Sequence, residues 1–443
     1  MSEVIHPYAE NFKALESLKA GHTPAWLPGL RRDAFEHFSS HGFPAAHSED
    51  WKYTPTRSLE KQTFTATPER SAALAASDIR TILLGEMPTQ TLVFVDGKHD
   101  PALSHIPSAT AGLQINTFDK AMESDVAWLR SSLESESNWR ADTFTALNTA
   151  FLQNGVVIKL NDGVRLETPL QLIFVSTRQE QPSACHPRIL LHLGDGAQAT
   201  LLETWFGLEG AANFTNSYTQ ISLGENSRLE HLHLQREAAK EFHVSRIAVD
   251  QQRNSHYLSH TLNLGGLWVR SDLNSRLQAS GAETIFNGLY LVDGRQHVDN
   301  HTRIDHLAPD TRSDELYRGI ISGHGHAVFN GKVVVAKHAV KTDAAQTNNN
   351  LLLSRQGEID TKPELEIYAD DVKCSHGATI GQLDEQALFY LRSRGLGLDE
   401  ARGLLVGAFA LAVLDRIVSP DLRVFARQQL SAVLPQSAVM ESA

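Results

Sequence analysis

The chain has 443 residues, more than the roughly 250–300 that one compact core usually holds, which calls for several domains or an elongated body. Its composition, 41% hydrophobic and 21% charged, is that of a globular protein, and a formal net charge of −12 leaves no broad basic face for nucleic acid. No run of about 18 uninterrupted apolar residues occurs, the N-terminus lacks a basic region followed by an apolar stretch, and two cysteines build no disulfide framework. The expectation is a cytoplasmic protein with reduced thiols and no membrane segment.

Residues 1–155 read as a helical and loop-rich region with some strands. Tyr8–Ala20 carries Phe12, Leu15 and Leu18 at helical spacing, with Gly21 placed to end the helix. Ala34–Ser40 predicts a second helix closed by Gly42, and an irregular stretch follows around Trp51–Pro55. Further helical passages run over Asp119–Glu136 and Phe144–Leu152, and Asn154-Gly155 makes a stop.

Over residues 156–382 the period changes to alternation, with branched runs such as Val157–Leu160 and Leu170–Val175. Polar turns recur around Asp195, Glu225, Gln252, Gly281 and Asp310, at intervals of 30, 27, 29 and 29 residues, with no helical stretch between them. A propeller blade needs roughly 40–50 residues, so the regular interval favours a β-helix, with an ordinary sandwich as the rival.

From 383 to 443 the helical period returns. Asp384–Gly395 opens with acidic residues, Leu398–Val418 follows, and Leu422–Leu434 lies beyond Pro420. The middle helix, with Leu404, Leu405, Ala408 and Leu411, is apolar enough to be a buried helix of a small bundle or a docking helix for a partner.

The stretch E-I-Y-A-D-D-V-K-C-S-H-G-A-T-I-G, Glu366 to Gly381, places Cys374 and His376 on one strand face, about 6–7 Å apart. That spacing suits a shared metal or a small buried cysteine beside a hydrogen-bonded histidine; a nucleophile–base pair is harder, because its hydrogen bond is shorter and directional. His231-x-His233, His324-Gly-His326, and His256 with His260 lack a cysteine or carboxylate at a recognised zinc spacing, so they read as surface or structural residues. For the alternative function, a stand-alone β-helix enzyme acting on polysaccharide, Asp370-Asp371 offers an adjacent carboxylate pair, but neighbours on a strand face opposite ways. No phosphate-binding G-x-x-x-x-G-K-[ST] loop is present.

Three runs carry a family resemblance: Phe329–Ser354 (F-N-G-K-V-V-V-A-K-H-A-V-K-T-D-A-A-Q-T-N-N-N-L-L-L-S), Asp360–Thr379 and Phe389–Leu396 (F-Y-L-R-S-R-G-L). They resemble the SufB/SufD family, scaffold components of the SUF machinery for iron–sulfur cluster assembly. K-C-S-H-G-A-T at 373–379, with E-D-W-K-Y-T-P at 49–55 and F-V-D-G-K at 94–98, resembles the SufD side of the family. The resemblance implies a right-handed parallel β-helix core between N-terminal and C-terminal helical regions, and a scaffold without enzymatic activity. It implies pairing with a SufB-like paralogue and binding of a SufC-like ATPase through the C-terminal helices, in the region of Phe389, Leu404, Leu405, Ala408 and Leu411. It further implies a transient iron–sulfur cluster at the SufB contact, with His376 as ligand and Cys374 beside it, and an indirect link to a cysteine desulfurase system. Reduced flavin in the complex, with no residues assigned, and a homodimer of the isolated chain complete the implied set.

Overall fold

The computed structural model describes residues 5–17, 24–45, 47–66, 74–84, 90–106, 110–124, 126–135 and 142–434. The first part contains α1 (His6–Ser17), α2 (Leu27–His41), α3 (Arg57–Glu60), β1 (Thr65–Ala66), α4 (Ala76–Ile79), β2 (Gln90–Val95), β3 (Lys98–His99), β4 (Leu113–Thr117), α5 (Phe118–Ser124), α6 (Val126–Ser135) and α7 (Thr143–Ala150). Then come β5 (Gly155–Leu160), β6 (Leu170–Ser176), β7 (Ser183–Cys185), β8 (Arg188–Leu193) and β9 (Gln198–Gly207). Strands follow in pairs: β10 (Phe214–Leu223) and β11 (Arg228–Arg236), β12 (Phe242–Gln251) and β13 (His256–Asn263), β14 (Trp268–Leu277) and β15 (Glu283–Val292). The last pairs are β16 (His297–His306) and β17 (Arg312–Ile321), β18 (His326–Val335) and β19 (Asp343–Leu352), β20 (Glu358–Ile367) and β21 (Lys373–Gly381). Helices α8 (Glu385–Ser393), α9 (Leu398–Leu414) and α10 (Pro420–Ser431) follow.

Even-numbered strands from β8 to β20 stack in parallel into a first sheet, continued by β5 and β4, while odd-numbered strands from β9 to β21 form a second, continued by β6, β2 and β3. In the first sheet Arg188 pairs with Tyr218, and the register then runs through Arg246, Asp272, His301, Asn330 and Lys362, in steps of 26 to 32 residues. Pairing of each strand with the next coil rather than with its sequence neighbour makes this a parallel β-helix and excludes the meander of a sandwich. From β8–β9 to β16–β17 one corner of each coil falls at the expected polar turns, where Asn226, Asn254 and Asp310 adopt φ of 58°, 55° and 57°. Asn and Asp tolerate that left-handed region better than other residues with a Cβ. The second corners, as at 208–213 and 237–241, lie between those turns, so a coil is two strands long.

Three apolar layers hold the body together. Ile189, Leu191, Ile221, Phe286 and Phe329 fill the lumen between the sheets. On the outer face of the first sheet Phe214, Phe242 and Trp268 pack against Tyr8, Phe12, Phe38 and Phe144 of the N-terminal helices. Outside the second sheet, Leu232, Leu234, Leu262, Leu289 and Ile320 are covered by Val406, Ala410, Val413, Leu414 and Phe425 of α9 and α10. Both faces of these strands are therefore buried, and the helices are walls of the solenoid.

Element boundaries depart from expectation for identifiable reasons. The middle C-terminal helix stops at Leu414, short of Val418, because Arg416 turns onto the second sheet to reach Asn287 Oδ1 (2.8 Å) and Asp314 Oδ2 (2.6 Å). The next begins at Pro420, ahead of Leu422, with the Ser419 hydroxyl accepting from Leu422 N. The single passage Asp119–Glu136 is two helices, α5 and α6; Glu136 lies outside the described residues, as do Leu18, Ala20 and Gly21. Among the described residues no helix is long and apolar enough to cross a membrane.

The Glu49–Pro55 stretch is a strap on the first sheet. The Trp51 ring stacks between Phe144 and Trp268, with centroids 5.2 Å and 6.4 Å away, and the Arg270 guanidinium lies 4.3 Å above it. Arg270 also donates to Asp50 O (2.8 Å) and to buried Asp299 (2.7 Å), which accepts from the Thr54 hydroxyl as well. Burial alone would raise the Asp299 carboxyl, but Arg270, His301 and Thr54 outweigh it and hold it well below the usual carboxylate range.

Candidate functional site at the open end of the solenoid

The two sheets end in full-length strands: β20 pairs only with β18 and β21 only with β19. Their outer edges carry a row of backbone donors and acceptors with no strand partner among the described residues. Apolar side chains surround this edge without cover: Ile367 is 41%, Ile380 52% and Tyr368 63% exposed.

Cys374 and His376 both lie on β21. The register sets Cys374 over Ala344 and His376 over Gln346, both buried, so the pair tops two lumen columns. Cys374 is half-buried against the lumen core, whereas His376 is exposed. Burial pushes the Cys374 thiol up, and Asp343 adds to that, so at neutral pH it carries its proton and binds a cation only by losing it. Among the described residues no third His, Cys, Asp or Glu joins the two as a ligand set. The pair is open and, among the described residues, offers two ligand atoms at most.

Beneath it the lumen is polar. Gln346 Nε2 donates to Glu315 Oε2 (2.6 Å), and burial raises the Glu315 carboxyl to about 7 against the hydrogen bonds from Thr302 and Gln346. Deeper still, Glu203 lies between His231 (3.3 Å) and His233 (3.6 Å) and accepts from Trp205 Nε1 (2.9 Å). Burial pulls the His233 imidazole down to about 4; the Glu203 carboxyl, which burial would raise, is held low by the two histidines. His231 and His233 are thus interior structural residues. His256 and His260 pair with Glu283 (2.9 Å) and Glu230 (3.2 Å), carboxylates of neighbouring coils that local spacing could not reveal. Cys185 lies far along the solenoid on β7, where burial pushes its thiol up to about 12.

Asp370 and Asp371 fall in the bend between β20 and β21, not on a strand, and belong to no three-residue cluster of His, Cys, Asp or Glu. On α8, Phe389 is 74% and Tyr390 57% exposed, and Phe389 joins Arg392, Leu396 and Leu398 around a shallow surface pocket. Leu404, Leu405 and Leu411 are half-buried and Ala408 is exposed; Leu404, Leu405 and Ala408 lie away from the buried Val406, Ala410 and Val413, while Leu411 also packs against their layer. The middle helix is therefore both a wall and, along one stripe, a partly uncovered surface. The exposed apolar rim of Ile367, Tyr368 and Ile380 goes unmarked in the sequence, because inward alternation there looks the same as in a covered coil.

A model of the SUF system FeS cluster assembly SufBD core domain matches residues 174–409, and one of the SufBD protein N-terminal region matches residues 2–172. An iron–sulfur cluster assembly SufBD family protein of Synechocystis sp. is 32% identical over 432 residues, 95% of either chain. The iron–sulfur cluster assembly protein SufD of Escherichia coli is 33% identical over 404 residues, 90% of either chain. A chloroplastic protein of Arabidopsis thaliana, ABCI7, is 30% identical over 302 residues, 66% of this chain and 63% of its own. Two family models spanning nearly all of the chain, and relatives at 32–33% identity over 90% or more of it, agree: the chain belongs to the SufBD family and has a role in SUF iron–sulfur cluster assembly.

Proposed function

We propose that the chain is a non-enzymatic, SufD-like scaffold subunit acting in the cytoplasm, and that its open end pairs with a SufB-like paralogue. The observation that carries this is the pair of full-length edges, β20 and β21, left unpaired beside Cys374 and His376. Natural sheets blunt such edges unless a strand of another chain is to meet them. Two ligands do not hold an iron–sulfur cluster, which generally takes about four, so the partner chain supplies the rest. The cluster is cargo. His376 is its ligand from this side, and imidazole in place of thiolate lowers the negative charge around a cluster that must leave. Protonated, half-buried Cys374 is auxiliary. The exposed face of α8 with the Leu404, Leu405, Ala408 and Leu411 stripe receives a SufC-like ATPase, which brings the nucleotide chemistry absent from this sequence. Without its paralogue, the same edge lets two copies of the chain pair.

The test is anaerobic co-expression with the paralogue and the ATPase, followed by iron and sulfide analysis per complex. His376→Ala is expected to lower cluster content several-fold with complex size unchanged, and Cys374→Ser to lower it less. Full loading of His376→Ala removes this histidine from the ligand set.

A further inference from the structure

A second group of metal-ligating side chains lies outside the open-end pair. His326 opens β18, and the register sets Glu358 of β20 directly opposite, with Asp360 two residues further on the same outward face. His326 Nε2 lies 2.8 Å from Asp360 Oδ2, and one ligand atom from each of His326, Glu358 and Asp360 falls within 4.8 Å of the other two. The Glu358 carboxylate is exposed and makes no hydrogen bond or ion pair among the described residues, although it stands beside a His–Asp pair. Among the described residues no lysine or arginine pairs with the group: Lys332 is held by Glu366 (2.6 Å), and Lys362 by Glu49 (2.8 Å) and Glu364 (2.9 Å). His297, one coil below, has its ring 4.7 Å from that of His326 but commits Nε2 to the Thr54 hydroxyl (3.0 Å).

We infer that His326, Glu358 and Asp360 form a binding site for a divalent first-row transition cation on the outer face of the first sheet. One imidazole nitrogen and two carboxylates suit Fe²⁺, Mn²⁺, Co²⁺ or Zn²⁺, whereas soft Cu⁺ prefers thiolate and Ca²⁺ prefers oxygen alone. Two rungs of a rigid sheet fix the ligand backbones, and the solvent side leaves positions for water. The nearest ligands in sequence are 32 and 34 residues from His326, one coil away, which is why His324-Gly-His326 showed no companion carboxylate. The site is separate from the cluster reading and stands without it.

The experiment uses the tag-free full chain carrying Cys374→Ser and His376→Ala, so that the open end contributes no ligand, titrated with Co²⁺ by absorption and calorimetry. One bound Co²⁺ per chain is expected, with competition by Zn²⁺. His326→Ala and Asp360→Asn should each weaken binding at least ten-fold and Glu358→Gln several-fold, while exposed His338→Ala changes nothing. All four side chains are half-buried or exposed, and far-ultraviolet circular dichroism checks the fold of each variant. Absence of saturable binding below millimolar Co²⁺, or binding unchanged in His326→Ala and Asp360→Asn, overturns the site and leaves an ion pair only.

Discussion

The two ends of the solenoid solve the same problem in opposite ways. At the N-terminal end both sheets finish in short strands that run against the rest: β3 is antiparallel to β2, and β4 to β5. The β2–β3 turn is fixed by Asp96 and Gly97 at φ 47° and 83°, and the Asp96 carboxylate accepts from Thr177 N (2.8 Å), Thr177 Oγ1 (2.7 Å) and Gln179 Nε2 (2.8 Å). Helices α5 and α6 cover that end of the first sheet, with Phe118, Met122 and Leu129 on Val157 and Leu190. The C-terminal end has parallel edges of ten and nine residues and, among the described residues, no strand beyond them. One end is finished by strands of its own that turn back; the other leaves β20 and β21 without a further strand partner among the described residues.

The contrast can be broken by substitution. Phe94 at the blunted end is 1% exposed and stacks on Phe174 with centroids 4.8 Å apart, so Phe94→Ala should cost about 3–5 kcal/mol in urea unfolding, without weakening partner pairing. A cost below about 1 kcal/mol would mean that this end is not a sealed core.

Glu315, two rungs beneath the open edge, gives a pH effect of defined sign. Its folded carboxyl titrates at about 7 and its unfolded one near 4.5, so its contribution is fully present below pH 4.5 and is lost as pH rises through 7. The loss amounts to about 3 kcal/mol at full effect. Glu315→Gln should therefore become more stable relative to the parent between pH 5 and pH 8, and an unchanged difference across that window refutes the shift.

At the open end itself, Ile380→Lys should change stability by less than about 1 kcal/mol, yet weaken pairing at least ten-fold in light scattering. Equal damage to stability and pairing would show that the edge is core. Smallest of all, Phe389→Ala should leave unfolding within about 0.5 kcal/mol of the parent, while weakening ATPase binding about ten-fold. Such point changes are better probes than truncation at Gly395. Removal of α9 and α10 would bare Leu232, Leu262, Leu289 and Ile320 and so disturb the solenoid itself.

Much of the fold was legible because corners demand particular residues: Asn226, Asn254 and Asp310 recur where φ must be positive, and the coil length follows from them. The inside of the solenoid was not. In R-L-E-H-L-H-L, Leu229 and the two histidines face the lumen while Leu232 and Leu234 face the helices. When both faces of a strand are buried, alternation no longer says which side is the core. Cys374 and His376 could be placed on one strand face from their spacing alone. Their position at an uncovered edge, and the grouping of His326 with Glu358 and Asp360, depend on which coil is last and on inter-coil register, which no local window contains.

The strap at Glu49–Pro55 has a consequence for the order of synthesis. Its buried anchors, Arg270 and Asp299, lie 220 and 245 residues downstream of Asp50 and Thr54. A ribosome adding about 5–20 residues per second leaves the strap without its seat for roughly 10–50 s. The nascent chain should thus expose Trp51 until the coil of β16 has emerged, and protease cleavage near Trp51 in stalled chains should cease once that coil is free. N-terminal docking then reports that most of the solenoid has been wound before its last strands, β20 and β21, emerge.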